Sequence, residues 1–313
     1  MKKKLAVLLL SSIAYFAWAQ EQVDLNAIHL IKKEGLNNSK MTDIALNLTD
    51  VSGPRLTNSP GFKRAADWAS KQLAQWGLVN STLEKWGEFG KGWQVEKSYV
   101  AMTKPYYWPL LGTPKAWTGG TNGLVSGDVT LVEIASEGDI KKYEGKLAGK
   151  IVLFKSTATT GPTFKADGLR MTDEELDELA KQPIGSSTSS LYSPEQMAQY
   201  YSRRAQNQKI NEFLKAEKVG LIIRGRSGSH GTYFTGNGSS YKKDAEPGLP
   251  ELEASPEHTD LMARLIAKGV SISIEAEIKT TFFEADPNAY NVVAEIPGTD
   301  KDLKAEVVME TVK

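Results

Sequence analysis

The sequence contains no cysteine. That absence excludes disulfides, thiolate catalysis, thiolate-bound metals and a lipid-modified N-terminal cysteine together. Histidine is almost as scarce: His29, His230 and His258 are the whole supply in 313 residues. Net charge is missing too, because 38 basic residues balance 38 acidic ones, so no global field favours nucleic acid or an anionic membrane. The apolar run near the N-terminus is too short for a permanent membrane anchor. Neither a nucleic-acid partner nor an anchored membrane form is expected.

What is present is organised in segments, and a chain of this length suggests about two domains. Residues 1–19 have the layout of an export signal: Lys2, Lys3 and Lys4, an apolar run from Leu5 through Phe16, then Ala17-Trp18-Ala19 as a small-x-small cleavage site. Ala17 and Ala19 are the expected cleavage-recognition residues, and the destination is the periplasm or the exterior.

Three helices are expected next. Asp24 caps a segment with Leu25, Ile28 and Ile31 on one face and Gly35 as its stop. Met41, Ile44, Ala45, Leu48 and Val51 form a second stripe, broken at Ser52-Gly53-Pro54. In the third, Ser59 caps, Pro60 takes the first helical position, Phe62, Ala65, Ala69, Leu73 and Trp76 recur at helical spacing, and Gly77 ends it. Leu83–Trp86 and Val95–Met102 then have strand character. The aromatic run Lys104-Pro105-Tyr106-Tyr107-Trp108-Pro109 breaks regularity. Such a cluster could floor a substrate cleft, although a packed aromatic loop over a core is the preferred reading.

From about Gly123 short β runs recur at Val129–Val132, Lys150–Phe154, Gly220–Ile223 and Val270–Ile278. Helices interleave with them. Thr172 with Glu175, and Ser193 with Gln196, form capping boxes, and Ser255-Pro256 starts a helix ending at Gly269. The acidic cluster Asp173, Glu174, Glu175, Asp177 and Glu178 reads as a first helical turn complementing the macrodipole rather than as a cation site. Gly225-Arg226-Ser227-Gly228-Ser229-His230-Gly231 lacks the Gly-Lys-Ser/Thr ending of a phosphate loop and is expected to be a surface loop. No two histidines show a short ligand spacing, so all three read as surface or capping residues.

Two stretches carry a family resemblance. Asp50-Val51-Ser52-Gly53-Pro54-Arg55-Leu56-Thr57-Asn58-Ser59-Pro60-Gly61 and Tyr290-Asn291-Val292-Val293-Ala294-Glu295-Ile296-Pro297-Gly298 resemble, in order, segments of the secreted di-zinc exopeptidases of metallopeptidase family twenty-eight. The carboxypeptidase Q-like and aminopeptidase members with an inserted protease-associated domain are the nearest in kind. Tyr143–Leu153 is similar to the signature of that inserted domain, in which a turn delivers the chain into a core strand. In the family the second stretch leads into a strand ending in His-x-Asp, whose histidine is the first zinc ligand. Here Glu306-Val307-Val308-Met309 has the character of that strand, adjacent to Tyr290–Gly298, yet Met309 is followed by Glu310, Thr311, Val312 and Lys313.

The expected fold is therefore α/β: an incomplete mixed-sheet zinc-exopeptidase domain with an inserted β-rich protease-associated domain. Its parts are a signal peptide at 1–19, the first part of the peptidase domain at 20–123, the inserted domain at 124–282 and the return to the peptidase domain at 283–313. The resemblance implies two zinc ions, a Glu general base and peptide substrates for the complete enzyme. No catalytic or metal-ligating residue is assigned within this chain, which is expected to be inactive as given, truncated before its metal ligands, and prone to aggregate through an unpaired sheet edge. The alternative is a non-catalytic exported binding module built on the protease-associated domain.

Overall fold

The computed structural model describes residues 23–309 except 135, 156–160, 162–163, 165, 167, 182–192, 226–227 and 229. Ala17 and Ala19, with the expected export signal, lie outside the described residues. Near the N-terminus, α1 (Leu25–Asn37) starts where Asp24 accepts the N–H groups of Asn26 and Ala27. It runs through Gly35 rather than stopping there, since one glycine in a last turn costs only about 1 kcal/mol. Its end is set instead by Asn38, whose N–H reaches the Glu34 carbonyl. The second stripe forms α2 (Met41–Leu46) and a π-helical turn (Asn47–Val51). Then α3 (Pro60–Gln75) begins at Ser59, whose hydroxyl accepts the Phe62 N–H, with Pro60 in the first turn. The starts of α1 and α3 are set by local caps, which is why the residues alone announce them.

Ten strands follow among the described residues: β1 (Val79–Glu88), β2 (Gly92–Lys104), β3 (Trp108–Pro109), β4 (Gly112–Pro114), β5 (Val125–Val132), β6 (Ile151–Phe154), β7 (Leu221–Gly225), β8 (Glu251–Ala254), β9 (Ser273–Phe283) and β10 (Asn288–Glu295). They divide into a two-stranded sheet, β1 with β10, and an eight-stranded sheet in the order β3-β2-β9-β5-β6-β7-β8-β4. Antiparallel pairing of β1 with β10 brings Leu83 opposite Val292. Segments at either side of the intervening chain thus lie side by side.

Within the larger sheet β5, β6, β7 and β8 run parallel. Parallel strands need both faces covered, hence the unbroken apolar runs at Ile151–Leu153 and Leu221–Ile223. Helix α7 (Pro256–Ala267) covers one face, where Met262 packs with Ile151, Leu153, Leu221 and Ile223. On the other, α6 (Pro194–Ala216) places Ile210 and Leu214 against Val132, Val152 and Ile222. Two shorter helices, α4 (Glu137–Ile140) and α5 (Asp173–Ala180), lie in the crossovers. Both expected capping boxes are present, Thr172 with Glu175 and Ser193 with Gln196. The stretch Tyr143–Leu153 is a turn feeding β6, and Glu217 holds it by accepting the N–H groups of Gly145 (2.8 Å) and Leu147 (3.2 Å). Those donors, Gly145 first, hold the Glu217 carboxyl below the usual carboxylate range.

Three further features depart from what the residues suggest. First, the eight-stranded sheet takes in β2, β3 and β4, which precede residue 124, because β2 is the antiparallel neighbour of β9 from Gly92↔Phe283 to Lys104↔Ser273. Second, Glu306–Val308 form no strand, and Val307, Val308 and Met309 are 84%, 92% and 82% exposed. A run of β-branched residues is a strand only where a neighbouring edge accepts its ladder, and none does so here among the described residues. Third, the stripe on α1 is real but uncovered, since no residue of that helix is buried.

The two units therefore differ in what holds them. Leu153 is fully buried whereas Trp86 of β1 is 62% exposed. Leu153→Ala is expected to lower the unfolding free energy by about 2–5 kcal/mol, and Trp86→Ala by no more than about 0.5 kcal/mol. Urea denaturation of both variants checks this, and equal losses would mean that the outer face of β1 is covered in solution.

Candidate functional site

The loop Asp50–Gly61 folds back on itself before α3. Ser52 is 2% exposed and its hydroxyl donates to the Asn47 carbonyl at 2.6 Å, while its own carbonyl accepts from Arg64 at 2.8 Å. Arg55 is exposed, and its guanidinium donates to the Leu48 carbonyl within the π turn. Gly61 lies against the Pro54 carbonyl so closely that a Cβ there would overlap it. Asn58 has a left-handed backbone (φ 62), a conformation that asparagine tolerates better than most residues. Its side-chain amide donates to the carbonyls of Gly90 (3.0 Å) and Asp286 (3.3 Å). Asp286 in turn accepts the Asn288 N–H and the Tyr290 hydroxyl at 2.8 Å, and these bonds, the backbone one first, keep its carboxyl below the usual range. The two stretches that carry the family resemblance therefore meet, through Asn58 and Asp286.

The donor set does not fit the zinc centre that the resemblance implies. Among the described residues no group of three or more His, Asp or Glu side chains could hold a metal ion. His29 stands exposed on α1, and His230 stands exposed in the glycine loop with φ 57.

His258 is placed differently. It lies in the first turn of α7, and its Nδ1 accepts the backbone N–H of Leu111 at 3.0 Å. A backbone N–H can only donate, so Nδ1 is the unprotonated nitrogen and the ring proton sits on Nε2. Trp108 Nε1 lies 3.3 Å from Nε2 with the rings at 87°. That is an edge contact between two N–H groups rather than a second hydrogen bond. Desolvation pushes the imidazole below its ordinary value of 6.5, partly opposed by the Glu257 carboxylate beside it.

His258 thereby tethers the aromatic segment 105–111, which is not the packed cover that its composition suggests. Tyr106, Tyr107 and Trp108 are 47%, 63% and 46% exposed, and Leu110 alone in this run is buried. Nor does it floor a cleft at the junction with the two-stranded sheet. It follows the far end of β2, and 13 residues of extended strand put about 40 Å between it and Gly92. The carboxyl ends of β5 to β8 point to the same pole, because β5 runs antiparallel to β9 from Val125↔Ala276 to Asp128↔Ser273. At the start of β8, Glu251, 4% exposed, accepts from Lys115 (3.0 Å) and Arg224 (2.8 Å). The Arg224 guanidinium also lies 3.9 Å from the centre of the Phe154 ring. This is a closed network that holds β7, β8 and the segment after β4 together.

Sequence reasoning missed both Asn58 and His258 as tethers. The one signal for Asn58 was its type in a Gly/Pro loop. For His258 it was its place three residues after the helix-capping Ser255.

Comparison with known proteins supplies a family context. No family model matches the chain. Its sequence is similar to carboxypeptidase Q of Mus musculus, with 22% identity over 258 residues, which cover 80% of this chain and 44% of the mouse protein. Among solved structures, a peptidase M28 precursor from Shewanella amazonensis SB2B aligns with a TM-score of 0.49 and 17% identity, covering 88% of this chain and 54% of the other. The aminopeptidase of Aneurinibacillus sp. strain AM-1 aligns at 0.41 and 13% (83% and 49%), and a zinc aminopeptidase from Bacillus subtilis at 0.42 and 11% (83% and 47%). The chain thus spans about half the length of the proteins it matches. The resemblance to family twenty-eight exopeptidases is borne out by the carboxypeptidase Q match.

The tether at His258 has a pH signature. Since its folded pKa is lowered, the stability it contributes is present above the unfolded value and is lost as pH falls through the folded one. Trp108 emission is therefore expected to change as pH falls below about 6.5, the Leu111 bond being lost when Nδ1 is protonated. His258→Gln should remove that transition, and an identical acid transition in the variant would assign it to another group.

Proposed function

We propose that this chain is the N-terminal portion of an exported zinc-dependent exopeptidase acting on peptides, with the metal ligands supplied by sequence that follows residue 309 in the complete enzyme. The observation that carries the reading is the match to carboxypeptidase Q, which takes in 80% of this chain but only 44% of the relative. Two features agree with it. The apolar side chains of α1, β1 and the segment after β10 stand in solvent, as they would if further sheet covered them, and the two stretches that carry the family resemblance meet through Asn58 and Asp286.

In this reading the eight-stranded sheet, drawn on strand pairing as residues 92–283 rather than 124–282, corresponds to the inserted protease-associated domain and walls the approach to the cleft. Export rests on the layout of residues 1–19. Substrates in this reading are peptides. A second reading, an exported binding module without catalysis, draws on one feature: the larger sheet has a buried core on each face and ends in strands of two and three residues, short edges that need no partner.

The encoding DNA separates the two readings. A His-x-Asp within a few codons of residue 313, in any frame, is the expected outcome, and a stop with no peptidase remnant favours the binding module. The chain as given is expected to bind zinc at well under one equivalent and to hydrolyse no peptide. Stoichiometric zinc with turnover would overturn the proposal.

A further inference from the structure

The two sheets are joined by two chain crossings, residues 89–91 between β1 and β2 and residues 284–287 between β9 and β10. Two short crossings between two units are the usual construction of a hinge. Here they are tied from every side.

The crossings bond first to each other, with the N–H groups of Phe89 (2.8 Å) and Gly90 (3.0 Å) both donating to the Pro287 carbonyl. From the N-terminal unit, the Asn58 amide holds the carbonyls of Gly90 and Asp286. A Cβ at Gly92 would overlap the Asn58 carbonyl, and one at Gly90 (φ 130) would overlap that of Tyr241. Chains this close have no room to swing past one another. From the larger sheet, Lys91 N–H donates to the Tyr241 carbonyl (2.7 Å) and the Lys91 carbonyl accepts Trp117 Nε1 (2.8 Å). The Phe89 ring stacks on Tyr241 at 4.4 Å and 9°, and Trp117 tilts against Tyr241 at 5.3 Å.

Lys91 lies at the centre. It is 4% exposed, which is rare for lysine without compensating partners. Its ammonium donates to the Ala245 carbonyl, lies 3.6 Å from the Glu284 carboxylate and sits 5.2 Å from the centre of the Phe282 ring. One side chain thus binds the first crossing to the second and to the loop 241–245.

We propose that this joint is a lock rather than a hinge, with Lys91 as its pin and Asn58 as its tie to the N-terminal unit, so that the eight-stranded sheet keeps one fixed orientation to α3, β1 and β10. The inference does not depend on the peptidase reading. Under that reading it makes the larger sheet a fixed wall of the cleft, which no substrate-driven closure moves.

The chain has no cysteine, so Lys71→Cys on α3 and Lys268→Cys at the end of α7 can carry one spin label each without side reactions. Pulsed electron spin resonance on the doubly labelled chain is expected to give one narrow distance distribution. Adding Lys91→Met should broaden it by about twofold, as two freed domains sample a range of angles. A broad or bimodal distribution in the parent, or an unbroadened one in Lys91→Met, overturns the proposal. Should Lys91→Met fail to fold, Asn58→Gly, which keeps the left-handed backbone while deleting the amide, decides by the same criteria.

Discussion

The structure depends on the ladder between β1 and β10, because it joins residues more than two hundred positions apart and so forces everything between them to leave and return at one place. Leu83 faces Val292 and Lys85 faces Tyr290 across that ladder. Once the pairing is fixed, the chain from Phe89 to Pro287 is a closed loop whose ends are already in contact. Closing a loop of that length costs only modestly more than closing a short one, since the entropy grows with the logarithm of length. An excursion large enough to build its own sheet is therefore tolerable, provided that its two ends are well tied. The bonds of Phe89 and Gly90 to the Pro287 carbonyl are that tie.

How much of this was legible in the residues follows from the range of each interaction. Helix starts were readable almost to the residue, at Ser59-Pro60, Thr172, Ser193 and Ser255-Pro256, because a cap is a contact between neighbours in sequence. The existence of β6 and β7 was readable too, from apolar runs too short for helices. Strand partners were not. Gly92–Lys104 alternates in a way that either sheet could accept, and only the complementary length of Ser273–Phe283 decides where it goes. The same limit explains Glu306–Met309, a sequence with strand propensity and, among the described residues, no edge to join. Lys91 was illegible for another reason, since a lysine between two glycines looks like a solvated turn. The glycines were the signal, marking backbones in close approach on both sides.

The contrast between the two units is a contrast in completeness of burial. The larger sheet has helices on both faces, buried cores beneath each of them, and short outer strands. The smaller sheet is two strands backed by α3, and a pair of strands in water is marginal by itself. Residues of β1 and the helices before it, such as Trp86, Leu25 and Ile31, stay 62%, 74% and 71% exposed. Since burial of such side chains is the main source of folding free energy, the smaller unit draws its order from what it is fastened to. The ties through Asn58 and Lys91 run from that unit and from its crossings into the larger sheet, so they lend it the rigidity that its own core does not supply.

That arrangement separates the two ends of the larger sheet in function as well as in distance. The end at Gly92 is crowded with backbone contacts and with the rings of Phe89, Tyr241 and Trp117, the first two stacked face to face. The end at Lys104 carries exposed Tyr106, Tyr107 and Trp108 tethered by a neutral histidine, beside the carboxyl termini of four parallel strands. In open parallel sheets that edge is where strand ends and helix starts diverge and leave a crevice. The sheet is about 40 Å long; under the proposed lock at Lys91 it keeps one orientation at the Gly92 end, while the tethered aromatic residues at the other end stay exposed. A change at His258 acts on the local surface of the aromatic pole, about 40 Å from the ties at Asn58 and Lys91.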